Sequence, residues 1–399
     1  MISDSFGKPV VHCETDVLST ARSEGNVTRY ETRLGAVYRL EARVLPYLTG
    51  SVYLFPSRET TGFWTLVDAG SGGKESSADL KSAFAVVRER FDPSFSPSAI
   101  RRILLTHAHI DHFGGVYELT RMNGAEVWLH AFESRVVSAY DACAIVENMR
   151  YVNFLRECGI PDAQIEPILD GFGFRPGRAK SVTVARKLLG GERFDSIDVV
   201  YLPGHSSGHV AYLYGDVVFT GDLLLSKTLT QIWPARTTPQ TGLLNYISSL
   251  MKLRELAESY ERARGCKLVA FAAHEEPILD IPERVARAFR GLERRNQRLL
   301  GIMREENAPL SIAEITPKMY WSGRPNREFF ALSDVASRVE LLLQLGAIQI
   351  VDYERVSPSS PTLWYRPSFS DTKATENTVE QVLRMNAARN ETQLFERKA

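Results

Sequence analysis

Six consecutive positions, His107-Ala108-His109-Ile110-Asp111-His112, hold four side chains of metal-ligand type. Imidazole nitrogen and carboxylate oxygen are donors that borderline divalent ions such as zinc accept readily. The spacing divides the work. His107 and His109, two residues apart, point the same way from an extended turn and can share one ion. Asp111 and His112 fall at the start of the following helix and can serve a second ion. Of the eight histidines in the chain, three lie in this window. A polar cluster this dense, placed straight after the apolar Ile103-Leu104-Leu105, is costly to desolvate without a partner. The chemistry available to two bound cations is polarisation of a carbonyl or phosphoryl oxygen and a lowered pKa for water.

Such a loop needs a rigid frame, and the flanking sequence reads as one. Ala36–Val44, Gly50–Phe55 and Phe63–Val67 are short, rich in Val, Tyr and Leu, and bounded by turn residues, as strands are. Residues 78–90 switch to helical spacing through Leu80, Phe84 and Val87. Ile103–Leu105 reads as a buried strand, 113–122 as a helix and Glu126–Leu129 as a strand. Residues 140–169 are mostly helical and stop at Gly159-Ile160-Pro161. Strands return at Asp198–Leu202, Val210–Tyr214 and Val217–Thr220, then a helix at Gly242–Glu258 and a strand at Lys267–Ala272. Strands alternating with helices predict an α/β layered fold.

The pattern changes after Pro282. Glu283–Glu305 is one long, Arg-rich amphipathic helix that would serve a homodimer as readily as a core. Ser311–Tyr320 and Ser333–Leu345 read as two more helices; Ser311 and Glu314 make a capping box, and Ser333 can cap alone. Ile348–Glu354 and Thr362–Tyr365 form a hairpin. Three helices and a two-stranded wing outline a winged helix over 283–370, behind a catalytic unit at 1–282. Residues 371–399 read as a polar tail in which Val379, Val382 and Leu383 suit a single helix.

Composition excludes several classes. With 399 residues, 44% of them hydrophobic and 24% charged, the chain is neither disordered nor fibrous and is long enough for two domains. Its 48 basic and 48 acidic residues balance, which argues against binding nucleic acid through bulk charge. Cys13, Cys143, Cys158 and Cys266 include no CxxC pair, the N-terminal ten residues have no apolar signal core, and no apolar run reaches the ~18 residues of a membrane span. A cytoplasmic location is expected.

The histidine segment matches the HxHxDH motif of the metallo-β-lactamase fold superfamily, and the resemblance extends over residues 36–280. Val67-Asp68-Ala69-Gly70 is similar to the early strand ending in Asp. Pro203-Gly204-His205-Ser206-Ser207-Gly208-His209 resembles the third metal motif, Phe219-Thr220-Gly221-Asp222 the strand ending in the bridging aspartate, and Ala272-Ala273-His274 the last histidine. The resemblance implies an αββα sandwich with a dinuclear centre, most often zinc, with manganese or iron as alternatives. His107, His109 and His205 would hold one ion and Asp111, His112 and His274 the other, with Asp222 between them. Asp111 would also orient the attacking water. Asp68 and His209 would support the ligands from behind, while His130 reads as a hydrogen-bonded edge histidine and His12 as inert. One departure is Glu275-Glu276-Pro277, where related chains often carry a Gly-rich turn.

The same resemblance places the substrate-facing insert between the first and third motifs, here residues 131–195, with Tyr140, Met149, Tyr151, Phe154, Phe172 and Phe174. Tyr151, Phe154, Lys227 and Trp233 are candidate substrate contacts, and Arg175, Arg178 and Arg186 are candidates for an anionic group. The leading expectation is a hydrolase of a thioester, lactone or related carboxylic ester, on a small molecule or an acyl carrier, with a metal-bridging hydroxide as nucleophile. The alternatives are a single-strand endoribonuclease or other phosphodiesterase, a mononuclear iron oxygenase resembling persulfide dioxygenases, and a non-catalytic binding protein. Arg338, the one basic residue of the predicted recognition helix, is too little for groove reading.

Overall fold

The computed structural model describes residues 16–172, 175–306, 308–320, 328–368 and 377–396. His12, Cys13 and Phe174 lie outside the described residues. Two sheets pack face to face. The first has eight strands in chain order: β1 (Arg22–Glu24), β2 (Val27–Thr32), β3 (Gly35–Leu45), β4 (Leu48–Pro56), β5 (Trp64–Val67), β6 (Ile100–Leu104), β7 (Glu126–His130) and β8 (Val184–Leu188). It is antiparallel as far as β5 and parallel from β5 to β8. The second runs β13 (Val269–Ala272), β12 (Val217–Gly221), β11 (Val210–Tyr214), β10 (Ile197–Tyr201), β9 (Arg193–Phe194).

The layer between the sheets is aromatic. Tyr53 stacks on Phe271 at 5.2 Å between ring centroids and Phe55 on Phe219 at 5.4 Å. The outer faces carry helices. Phe84 of α1 (Lys74–Val86), Phe113 of α2 (Ile110–Phe113) and Leu119 of α3 (Val116–Asn123) share a core with Leu54, Leu66 and Ile103 of the first sheet. The insert supplies α4 (Ser134–Ser138), α5 (Tyr140–Glu157) and α6 (Asp162–Phe172). α7 (Leu243–Arg264) and α8 (Ile281–Glu305) cover the second sheet. The order helix, sheet, sheet, helix is the expected αββα arrangement.

Beyond it lie α9 (Ile312–Met319), α10 (Glu328–Gln344) and a two-stranded sheet of β14 (Ile348–Val351) and β15 (Trp364–Pro367), then α11 (Thr378–Glu396). The capping box of Ser311 and Glu314 forms as read. α10 begins five residues before Ser333, so Ser333 is an interior position and not a cap. The stretch read as a polar tail ends in α11, whose Val379 and Val382 are buried on the α7–α8 layer. The apolar face of α8 is used inside the chain, with Val285, Ala288, Leu292 and Leu299 all buried.

The insert corrects the reading in a second way. Its last part, β8 and β9, belongs to the sheets. Its first part is no free-standing lid: Tyr151, Phe154 and Leu155 of α5 share one core with Leu299, Ile312, Ile315 and Val335 of the C-terminal helices. The first two strands, β1 and β2, were not foreseen: β1 is an exposed edge of Arg, Ser and Glu, and β2 buries only Val27 and Tyr30 among polar residues.

Candidate metal centre

Five strands deliver the candidate ligands to one edge of the sandwich. Asp68 follows β5, the His107–His112 loop follows β6, His205 follows β10, Asp222 follows β12 and His274 follows β13. Cross-sheet bonds fix the edge. Ala273 N–H donates to Gly221 O at 3.0 Å, Val210 N–H to Thr106 O at 2.9 Å and Ser51 N–H to Ala273 O at 2.7 Å. The glycines after the histidine loop answer to sterics. A Cβ on Gly114 would lie 2.0 Å from Ser71 O, and one on Gly115 would lie 2.1 Å from Ala69 O. Only glycine lets the start of the helix pack on the loop behind Asp68.

Three nitrogens converge in the first corner. His107 Nε2 lies 3.0 Å from His109 Nδ1 and 3.2 Å from His205 Nε2, and the last two are 3.0 Å apart. They cannot all be hydrogen bonds, because the outward nitrogens already hold the protons. His205 Nδ1 donates to Gln231 O at 2.9 Å. Thr106 Oγ1 donates to Asp68 at 2.9 Å and accepts from His107 Nδ1 at 3.1 Å. Lone pairs of His107 and His205 therefore face His109 across a gap that a cation would fill. Burial holds all three below the ordinary imidazole range, His205 at about 4.

The second corner carries charge. His112 Nδ1 donates to Asp68 Oδ2 at 2.9 Å and His274 Nδ1 to Thr49 O at 2.8 Å. Each Nε2 is thereby turned inward. His274 Nε2 is 3.4 Å from both Asp111 Oδ2 and Asp222 Oδ1, and His112 Nε2 is 3.6 Å from the same two atoms. His112 Nε2, His274 Nε2 and Asp222 Oδ1 are buried without a hydrogen-bond partner among the described residues. Buried polar atoms left so are rare, and donors of this kind suit a divalent ion. Burial opposes the protonated form of both histidines, yet the two carboxylates outweigh it, raising His112 strongly and His274 to about 9. Burial raises Asp111, but His112 and His274 pull it down to about 2. Asp222 Oδ2 is also 3.5 Å from His205 Nε2, so one carboxylate touches both corners.

Asp68 and His209 lie behind these groups. Asp68, held at φ +62°, accepts from Thr106 N–H at 2.8 Å and orients both His112 and, through Thr106, His107. His209 Nε2 accepts from Asp222 N–H at 3.2 Å. His130 is hydrogen-bonded but interior: it stacks on Tyr201 at 4.4 Å, and its Nδ1 accepts from Phe132 N–H at 3.3 Å. Glu275 explains the departure at 275–277. Its carboxylate accepts from the Thr228 hydroxyl at 2.8 Å and from the Lys227 and Thr228 amides, and Arg39 donates to Glu276 at 2.8 Å.

One supporting residue was missed. Glu133 is buried, and its two oxygens accept from Ala108 N–H at 2.7 Å and Gly208 N–H at 2.9 Å, tying the His107–His109 loop to the His205–His209 loop. Nothing local marks it, since its partners are backbone amides 25 and 75 residues away.

Two adjoining cavities, of about 560 and 440 Å³, share Ala108, His109, His205 and Trp233. Trp233 lines both and Tyr151 lines the smaller. Phe154 is a core residue under the Arg236 guanidinium, which lies 5.5 Å from its ring centre. Lys227 is exposed and lines neither cavity; the loop turns its side chain outward while Glu275 holds its amide. Among the anion candidates, Arg175 pairs with Asp170 and Arg186 lies over Trp128, whereas Arg178 lines the larger cavity.

The family model described as the metallo-beta-lactamase superfamily matches residues 48–261, over half of the chain. The chain belongs to this superfamily. Among curated proteins, a hydroxyacylglutathione hydrolase of Shewanella pealeana is 27% identical over 179 residues, covering 45% of this chain and 53% of its own. An atrochrysone carboxyl ACP thioesterase of Aspergillus fumigatus is 26% identical over 203 residues, covering 50% of this chain and 46% of its own. The chain thus spans about half the length of these relatives. A metallo-beta-lactamase family protein of Thermus thermophilus shares the fold at a TM-score of 0.64 and 23% identity, covering 83% of this chain and 98% of its own. A beta-lactamase domain protein of Burkholderia ambifaria does so at 0.62 and 20%, covering 83% and 91%. No helix among the described residues is long and apolar enough to cross a membrane.

Proposed function

We propose that this chain is a metal-dependent hydrolase of a thioester or related carboxylic ester. The observation that carries the reading is the pair of corners bridged by Asp222, whose inward donor atoms have no protein partner, set at the foot of two largely apolar cavities. The named relatives, a glutathione thioester hydrolase and an acyl-carrier thioesterase, favour an acyl substrate on a small thiol or a carrier. His107, His109 and His205 would hold one divalent ion, zinc above manganese or iron, and Asp111, His112 and His274 a second, with Asp222 shared. Bound there, the ions would supply carbonyl polarisation and a more acidic water.

The chain's own residues do the rest. Asp68, Thr49 O and Gln231 O keep His112, His274 and His205 in the tautomer with Nε2 free. Asp111 contributes to the second corner and faces the larger cavity, where its carboxylate orients the attacking water. Trp233 and Tyr151 wall the acyl path and exclude bulk water.

The C-terminal unit is winged-helix-like in element order, and we assign it a walling role. α10 lies on the ligand loop: Glu340 accepts from Ala235 N–H at 2.7 Å, Ser337 donates to Ile232 O at 2.6 Å, and Phe330 lines the larger cavity. Arg338 is buried and paired with Asp334 at 2.8 Å, so it is not available to phosphates. That weighs against the nuclease reading, and the complete second corner weighs against the mononuclear oxygenase.

The test is elemental analysis of protein purified without added metal, then a panel of thioesters and lactones. About two ions per chain, hydrolysis of at least one thioester, and loss of that activity in a folded His107→Ala variant are expected. Full activity in His107→Ala would refute the proposal.

A further inference from the structure

Nearly every charged side chain on the larger cavity is committed. Asp111, Asp222, His109, His205 and His274 face one another, and Glu275 accepts from the 226–228 loop. Arg178 lines the same cavity and, among the described residues, makes no hydrogen bond or ion pair. Its neighbours differ: Arg175 pairs with Asp170, and the Lys180 ammonium lies 4.5 Å from the Tyr117 ring centre.

The segment that carries Arg178 is anchored. Gly177 N–H donates to Asp141 at 2.8 Å, Val182 N–H to Val137 O at 2.9 Å, and Tyr140 N–H to Ser181 Oγ at 3.0 Å, while Ala179 is buried in the first core. Close to Arg178 stands Tyr140, which is buried and lines the cavity too; the guanidinium charge acts on its phenol. The Tyr140 hydroxyl makes no hydrogen bond among the described residues and is open to solvent rather than sealed in the core. An exposed guanidinium without a protein partner, carried on an anchored segment, and an unpaired phenol therefore share one apolar cavity with the candidate metal centre.

We infer that Arg178 and Tyr140 form an anion-recognition corner, and that the substrate is an apolar ester or thioester bearing a carboxylate or phosphate away from the scissile bond. This deepens the hydrolase reading and rests on it for the reaction, though not for binding. Guanidinium supplies a charge-assisted donor pair to either anion, and the apolar walls accommodate the chain between anion and carbonyl. The anion has two possible sources, the far end of the acyl group or the phosphate of a carrier thiol.

Three matched thioesters separate them: a neutral acyl group on a neutral thiol, the same acyl group ending in a carboxylate, and the neutral acyl group on 4′-phosphopantetheine. The wild type is expected to prefer one anionic form over the neutral one by about ten- to a hundredfold in kcat/KM, the value of a charged hydrogen bond. Arg178→Gln should collapse that ratio, chiefly through KM, with Arg178→Lys keeping part of it and Tyr140→Phe losing less than Arg178→Gln. The preferred anion names the source. A wild type that ranks all three alike, or an Arg178→Gln variant that keeps the ratio, overturns the inference. If no thioester is hydrolysed, the hydrolase reading fails and calorimetry of the zinc-loaded protein decides the corner. Glutarate binding at least about tenfold tighter than butyrate in the wild type, with that gain lost in Arg178→Gln, upholds it; equal affinities in the wild type overturn it.

Discussion

His107, His109 and His205 meet as three neutral imidazoles, whereas Asp111, His112 and His274 meet around two carboxylates. The first corner is poor in protons before any ion arrives, because burial disfavours imidazolium there. The second is an internally neutralised cluster of cationic histidine and anionic aspartate. Two such corners would differ in affinity. An ion entering the first would meet lone pairs; one entering the second would have to displace protons that the carboxylates hold in place.

The comparison breaks most completely at the residue common to both sides. Asp222→Ala should empty both corners and lower kcat/KM by about a thousandfold or more, as loss of several kcal/mol of electrostatic stabilisation does; elemental analysis and kinetics would report it. Acid should separate the corners next. A raised pKa means tighter proton binding, so ion affinity at the Asp111–His112–His274 corner should fall as pH drops below about 9, by about tenfold per pH unit for each proton displaced. The three-histidine corner should hold its ion until the pH nears the His205 value of about 4. Chelator competition at several pH values reads both.

Asp68→Asn sharpens the contrast further. Its amide would face His112 Nδ1, forcing the tautomer that blocks Nε2, and should cost about 10- to 100-fold in affinity, concentrated in the second corner. The smallest effect belongs to the first corner. Glu133→Gln replaces one acceptor facing a buried amide with a donor, costing about 1–3 kcal/mol of stability in denaturant unfolding, with ion affinity falling only where His107, His109 and His205 meet.

These two supports also mark how far the sequence could be read. The ligands follow strands whose apolar runs are local, and His107 to His112 lie in one stretch, so type and spacing suffice. Asp68 closes a strand and is legible for the same reason. Glu133 acts on backbone amides of distant loops, which leave no trace in side-chain identity. β1 escaped because an edge strand with no buried residue leaves no apolar signal, β2 because it buries only Val27 and Tyr30 of six, and α11 was legible only as three apolar residues in a polar stretch. Phe154 lies in a core because an aromatic in a helix does not say which face meets a cavity, and Lys227 is exposed because closeness in sequence to Asp222 does not fix which way a side chain points. Arg338 looked like a surface charge and is instead a buried ion pair.

Gln231 has a consequence of its own. Its carbonyl oxygen takes the His205 Nδ1 proton, while its side-chain amide donates to Phe330 O and to Ser333 Oγ on α10. One residue thus works as a short lever between a ligand histidine and the C-terminal helix. A displacement of α10 would therefore move the carbonyl that aims His205, so the seating of the C-terminal helix and the shape of the three-histidine corner are mechanically one variable.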